Sequence, residues 1–198
     1  MSEINFPAFL IFAIVTTFTP GPNNISSASS GVLYGYRRTL PYIAGIVSGF
    51  FGVMLASALL SQSIRAVLPK AEGYLRIAGA IYILWLAYHS LKSSYQFEAE
   101  GIEPRGFRAG VLLQALNPKA LVYGLTMYSS FLLPLANRPF ELALSAAFFA
   151  VLTFVAVSVW SLTGAAIRRY MRTEAVQQAV NTILAVLLVY TAYEISGL

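Results

Sequence analysis

The sequence predicts an all-α integral membrane protein: six transmembrane helices arranged as two inverted three-helix repeats, with the first and fourth helices broken by Pro/Gly/Asn motifs. Three observations predict it. Of 198 residues, 58% are hydrophobic and 11% charged, with mean hydropathy +0.69, whereas roughly a quarter of the residues in a soluble domain carry charge. Several apolar runs approach the roughly 20 residues needed to cross a hydrocarbon core about 30 Å thick. Matching features also recur 98 positions apart: Pro20 with Pro118, Pro41 with Pro139, and "GIVSGFFGV" (Gly45–Val53) with "ALSAAFFAV" (Ala143–Val151).

The first span runs from about Pro7 to Tyr34 and is interrupted at "TPGPNN". Before it, "MSEINFP" carries no positive n-region, and no small-x-small site ends the first apolar run before the break, so the run is expected to be retained. The second span, about Leu40 to Leu60, contains a GxxxG motif (Gly45, Gly49) extended by Ser48 and Gly52. Tight helix contact is the favoured reading of this small face, with Ser48 also a candidate for lining a substrate path. In the third span, about Tyr74 to Leu91, Tyr82, Trp85 and Tyr88 recur at near-helical spacing. They either line a path or join an interfacial aromatic belt, and His89 stands beside them near the span end.

The connection "KSSYQFEAEGIEPRGFR", Lys92 to Arg108, is the longest and most charged, and it divides the chain. A single transporter domain is expected: repeat one over about 1–91, a cytoplasmic loop over about 92–106 and repeat two over about 107–198. The fourth span, about Phe107 to Leu135, is interrupted at "NPK"; the fifth runs from about Phe140 to Ile167 and the sixth from about Val176 to Ile195. Three spans per unit is an odd number, so the second copy enters the membrane from the opposite side. Such inverted repeats recur in secondary transporters, whose substrate sites lie near the midplane where matching helices are broken.

The net charge of +5 is spread over short connections, which fits membrane orientation better than nucleic-acid binding. Eight Lys and Arg residues (Arg37, Arg38, Lys92, Arg105, Arg108, Arg168, Arg169, Arg172) fall on one face and four (Arg65, Lys70, Arg76, Arg138) on the other. The positive-inside rule then places the central loop in the cytoplasm and both termini outside, in the periplasm. The chain has no Cys, no Asp and one His, so neither a nucleophile–base pair nor a metal cluster can be assembled. No enzyme activity, cofactor or metal is expected.

Both breaks fall inside the hydrocarbon depth, Pro20 about 20 Å from Pro7 and Pro118 about 17 Å from Phe107 at 1.5 Å per residue. Proline removes a backbone donor and clashes with the preceding turn, leaving carbonyls unpaired. Unpaired backbone is tolerated at that depth only in protein or beside a wet cavity, the alternative being a proline kink repaired by neighbouring helices. In "NPK", Asn117 is a suitable N-cap and Pro118 suits the first helical position, with Lys119 inside the first turn. Gly21-Pro22 or Asn23 opens the corresponding helix after the first break. Two helix N-termini and one lysine at mid-depth make an anion site suited to a carboxylate. Asn23, Asn24 and Asn117, with the carbonyls that the prolines free, are expected to receive an ammonium group, so the parts for holding a zwitterion are present. Asn23 and Asn24 either touch that substrate or cap the helix. A snorkelling or neutral Lys119 is the competing reading of that residue.

"TPGPNN", "AGAIYILWLAY" (Ala78–Tyr88), "LQALNPKALVYG" (Leu113–Gly124) and "ILAVLLVY" (Ile183–Tyr190) together resemble the LysE/RhtB family of amino-acid exporters, most closely its cysteine and O-acetylserine exporter branch. The resemblance covers nearly the whole chain. It implies a multi-pass protein of the bacterial inner membrane that exports small amino acids or derivatives by proton antiport with alternating access, with a homo-oligomer as a further expectation. An uncoupled facilitator or small channel is the alternative. The family's site carries over onto Pro20, Gly21, Pro22, Asn23, Asn24, Asn117 and Lys119, with Pro118 between the last two. All eight acidic residues (Glu3, Glu72, Glu98, Glu100, Glu103, Glu141, Glu174, Glu194) fall in tails, loops or span ends. No mid-membrane carboxylate relay is expected, and Lys119 is the first candidate proton carrier.

Overall fold

A computed structural model describes residues 6–60, 77, 80–81, 84–85, 87–88, 91, 104–135, 137–168 and 174–196. Among them the fold is all-helical: α1 (Phe6–Phe18), α2 (Pro22–Tyr34), α3 (Tyr36–Leu60), α4 (Phe107–Ala115), α5 (Pro118–Thr126), α6 (Pro139–Arg168) and α7 (Glu174–Ser196). A π-helical turn, Met127–Phe131, and a short 3-10 turn, Leu133–Leu135, follow α5. Most of the expected third span, with Tyr82 and His89, lies outside the described residues, as do Arg65, Lys70 and Arg76; those described within the span are helical.

Tyr36–Leu59 of α3 and Pro139–Ile167 of α6 are each long and apolar enough to cross a membrane. Large apolar side chains lie on the outside as well as in the core, and many polar ones lie within. Ile11, Ile14, Leu144, Val151, Phe154 and Leu162 are exposed, whereas Asn24, Ser26, Ser27, Ser29, Ser30, Gln114, Asn117 and Thr153 are buried. Apolar atoms cost nothing against lipid, and polar ones must find partners inside the bundle.

The two segments expected to be interrupted are each two helices around a short break, α1–α2 and α4–α5. They run in opposite directions: Thr19 lies by Lys119, Thr17 by Tyr123, and Phe9 by Phe131, so one index rises as the other falls. α4 and α5 together run parallel to α3, from Gly45 beside Phe107 to Ser57 beside Gly124. α6 runs parallel to α1, with Phe9 near Phe149 and Trp160 near Phe18.

Glycines let these helices approach. A Cβ on Gly45 would stand 2.0 Å from the Phe107 carbonyl oxygen, and one on Gly110 2.3 Å from that of Tyr42. The GxxxG motif is therefore a contact face, Gly49 meeting the Gln114 side chain, while Gly52 faces open space. The same device joins α2 to α6, where Gly31 sits on the Ser161 carbonyl and Gly164 on that of Ala28.

Two equivalences drawn from the offset of 98 shift in three dimensions. It is Pro22, not Pro20, that opens a helix as Pro118 does. Pro41 lies inside α3, whereas Pro139 begins α6.

Candidate functional site

The site is built where the two broken spans meet. α1 ends at Phe18, and its last carbonyls need partners because the proline and glycine that follow end the helical ladder. Three separate elements supply them. The Asn24 side-chain amide donates to the Thr17 and Thr19 oxygens at 2.9 Å each. The Trp160 indole N–H of α6 donates to the Phe18 oxygen at 3.3 Å. Lys119 Nζ of α5 donates to the Thr19 oxygen at 3.1 Å and the Pro20 oxygen at 3.5 Å. Thr19 caps the Val15 oxygen locally, and the later carbonyls of the α1 end are met by these three elements, with a cation at its negative dipole end.

The two helix starts differ. α5 caps itself: Asn117 Oδ1 accepts from the Lys119 backbone N–H at 3.1 Å, with Pro118 at the first helical position. α2 begins after Gly21, which has no side chain to cap it, and its first helical bond is Ile25 N–H to the Gly21 oxygen at 2.9 Å. The N–H groups of Asn23 and Asn24 precede that ladder. Of the two N-termini expected to face an anion, the one at α2 is left open while the other is closed by its own asparagine.

The breaks are joined directly. Asn117 Nδ2 donates to Asn23 Oδ1 at 3.0 Å and, more weakly, to Gln114 Oε1 at 3.4 Å. Around this pair lies a cavity of about 40 Å³, lined by Thr16, Thr17, Gly21, Pro22, Asn23, Asn24, Phe50, Asn117, Lys119, Ala120, Tyr123 and Thr153. Thr153 fixes the depth: it stands at the middle of the 30-residue α6, about 21 Å from either end at 1.5 Å per residue. The cavity therefore lies at mid-length of α6.

Of the residues singled out from the sequence, Gly21, Pro22, Asn23, Asn24, Asn117 and Lys119 line this cavity. Pro118 is buried behind them as the first residue of α5, and Pro20 is exposed and contributes its carbonyl to Lys119. Gly21 has a steric role, since a Cβ there would stand 3.0 Å from Lys119 Nζ. Ser48 is on the exposed face of α3 and Trp85 is also exposed; neither lines the cavity. The reading that proline-freed carbonyls await a substrate ammonium is revised by the geometry. The Thr17, Thr19 and Pro20 oxygens are already occupied by the Asn24 amide and the Lys119 ammonium.

The sequence reading missed Thr16, Thr17, Phe50, Ala120, Tyr123 and Thr153. Two of these carried a signal. Tyr123 stands one turn beyond Lys119, and Thr153 is the lone hydroxyl in "FFAVLTFVAV". Tyr123 is held by rings on three sides, 6.0 Å from Phe12, 5.7 Å from Phe50 and 5.6 Å from Phe149, centroid to centroid. These aromatics fill the α1–α5 half of the bundle beneath the cavity, whereas the α2 half is lined by buried serines.

Comparison with known proteins agrees with this architecture. The family described as LysE type translocator matches residues 14–196. A cysteine/O-acetylserine efflux protein of Klebsiella pneumoniae is 37% identical over 195 residues, covering 98% of each chain. Proteins of the same name from Shigella flexneri and Escherichia coli are each 36% identical over 196 residues, covering 98% of this chain and 99% of theirs. No solved structure matches. A helical bundle with two interrupted helical segments, matched along nearly its whole length by efflux proteins, belongs to the LysE family of membrane translocators and is not an enzyme.

Proposed function

We propose that this chain is a secondary transporter that exports small amino acids or their derivatives, of the cysteine and O-acetylserine kind, across the bacterial inner membrane. The observation that carries the reading is the Asn23–Asn117 hydrogen bond, which ties two oppositely directed, broken helical segments together beside a cavity at mid-length of α6. In this reading the substrate carboxylate takes the open N-terminus of α2, at the Asn23 and Asn24 N–H groups, with Lys119 Nζ beside it. The substrate ammonium takes the side-chain oxygen of Asn24, and that of Asn23 once Asn117 releases it. Lys119 leaves the α1 carbonyls when the carboxylate arrives, so binding loosens the cap that holds the two breaks together. That coupling of binding to a bistable contact is what alternating access requires.

Six spans in two inverted repeats complete the reading, supported by the antiparallel course of the two broken spans. Arginines at the start of α3, the start of α4 and the end of α6 share one end of the bundle, which supports a cytoplasmic placement of that end and termini on the periplasmic side. Proton antiport would run through Lys119, the one cavity-lining residue with a basic side chain. A second reading, an uncoupled facilitator, is favoured by the absence of any carboxylate among the cavity-lining residues. Vesicles containing the purified protein, loaded with a panel of labelled amino acids and O-acetylserine, test the proposal. Faster efflux of small neutral substrates than from protein-free vesicles is expected, increased by an imposed pH gradient. Efflux indifferent to the gradient would select the facilitator, and no efflux of any of them would end the proposal.

A further inference from the structure

Five buried side-chain polar atoms have no partner among the described residues: Ser27 Oγ, Ser30 Oγ, Gln114 Nε2, Thr153 Oγ1 and Ser161 Oγ. Of these residues only Thr153 lines the cavity, and it is 3% exposed. A threonine inside a helix has an easy local solution, which is to turn its hydroxyl onto the carbonyl four residues back. Thr17, Thr39 and Thr163 do so, at 2.7, 2.9 and 2.9 Å, and so does Thr19. Thr153 does not, although the same acceptor lies one turn away, and a buried hydroxyl without a partner is costly. The rings of Phe50 and Tyr123 line the same cavity, as do Asn23, Asn24, Asn117 and Lys119 at the two breaks.

We infer that Thr153 is the specificity-determining residue of the cavity, its hydroxyl hydrogen-bonding a polar group on the side chain of a small amino acid. The inference rests on the reading of the cavity as the substrate site. A hydroxyl or ester one or two bonds beyond the substrate's β-carbon meets Thr153 Oγ1, while Phe50 and Tyr123 limit its size. A substrate ending in a methyl group leaves that hydroxyl unpaired, which is how a buried polar group discriminates between isosteres.

The pair L-serine and L-2-aminobutyrate, which differ by a hydroxyl against a methyl, tests this in vesicles containing the full chain. Wild-type protein is expected to release serine and O-acetylserine faster than 2-aminobutyrate. In Thr153→Val, nearly isosteric and apolar, the ratio of serine to 2-aminobutyrate efflux should fall about three- to tenfold, the size of one neutral hydrogen bond. Thr153→Ser should keep the ratio. A Thr153→Val protein of wild-type thermal stability whose two rates fall together, or do not change, would overturn the assignment. If the wild type moves none of the three, the substrate-site reading itself fails and this inference falls with it. Loss of export by Lys119→Met with retained discrimination in Thr153→Val would leave the site standing and reject Thr153 alone.

Discussion

Asn117 does two jobs that can be separated by substitution. Its Oδ1 caps α5 through the Lys119 N–H, and its Nδ2 bridges to Asn23 in the other broken span. Asn117→Ser retains a good cap and loses the bridge; Asn117→Ala loses both. Removing the cap alone costs about 1 kcal/mol. The bridge is worth about 0.6 kcal/mol, and up to about 1.7, by the scale of interhelical hydrogen bonds in membranes. Asn117→Ser should therefore destabilise by about 0.6 to 1.7 kcal/mol and Asn117→Ala by about 1 kcal/mol more. Reversible unfolding by SDS in mixed micelles, followed by the fluorescence of Trp85 and Trp160, measures these differences. The decisive comparison is the cycle of Asn23→Ala, Asn117→Ser and the double variant, because neighbours that touch are not additive. If the bridge exists, the double variant should be more stable than the sum of the singles predicts by about 0.6 kcal/mol or more. Strict additivity would refute the claim that the two breaks are joined through these side chains. The same variants should export more slowly than Gln114→Leu, since Gln114 accepts only the longer bond from Asn117.

Three further outcomes are expected. Gly45→Ala must move α3 from α4, because its Cβ would stand 2.0 Å from the Phe107 oxygen, and should cost about 1 to 3 kcal/mol as overpacking does. Gly52→Ala on the same helix meets nothing within 4 Å and should stabilise by up to about 1 kcal/mol; thermal unfolding in detergent compares the two, and equal effects would refute the packing. Lys119→Met should abolish export while the protein still elutes as a folded species, and retained proton-driven export would remove Lys119 from the mechanism. Ser27 and Ser30 lie one and two turns beyond Asn23 on the same face of α2, and the chain has no cysteine. Single cysteines there should react with a membrane-impermeant thiol reagent from one side only, at a rate that substrate alters several-fold; inertness from both sides under every condition would argue against a path along that face.

The sequence by itself determined that the chain is an all-helical membrane protein and where two of its described helical segments break. Apolar run length, proline chemistry and N-cap preference are local properties, and "NPK" starts α5 as its residues require. It also determined that GxxxG would be a contact face, since only a residue without Cβ permits 2.0 Å to a carbonyl. What the tertiary structure decided is which polar group meets which. Asn24 could as well have capped α2; it reaches back to α1 because the carbonyls of Thr17 and Thr19 are unpaired there and lie within its reach. Lys119 likewise attends to the end of α1 from a helix 100 positions away in sequence. Thr153 and Phe50 join the cavity only because α6 and α3 cross the breaks at mid-height, and one hydroxyl in an apolar helix has no local pattern to announce its neighbours. In a bilayer every buried polar group must be satisfied from within the protein, so its partner depends on how distant helices pack and not on the residues beside it.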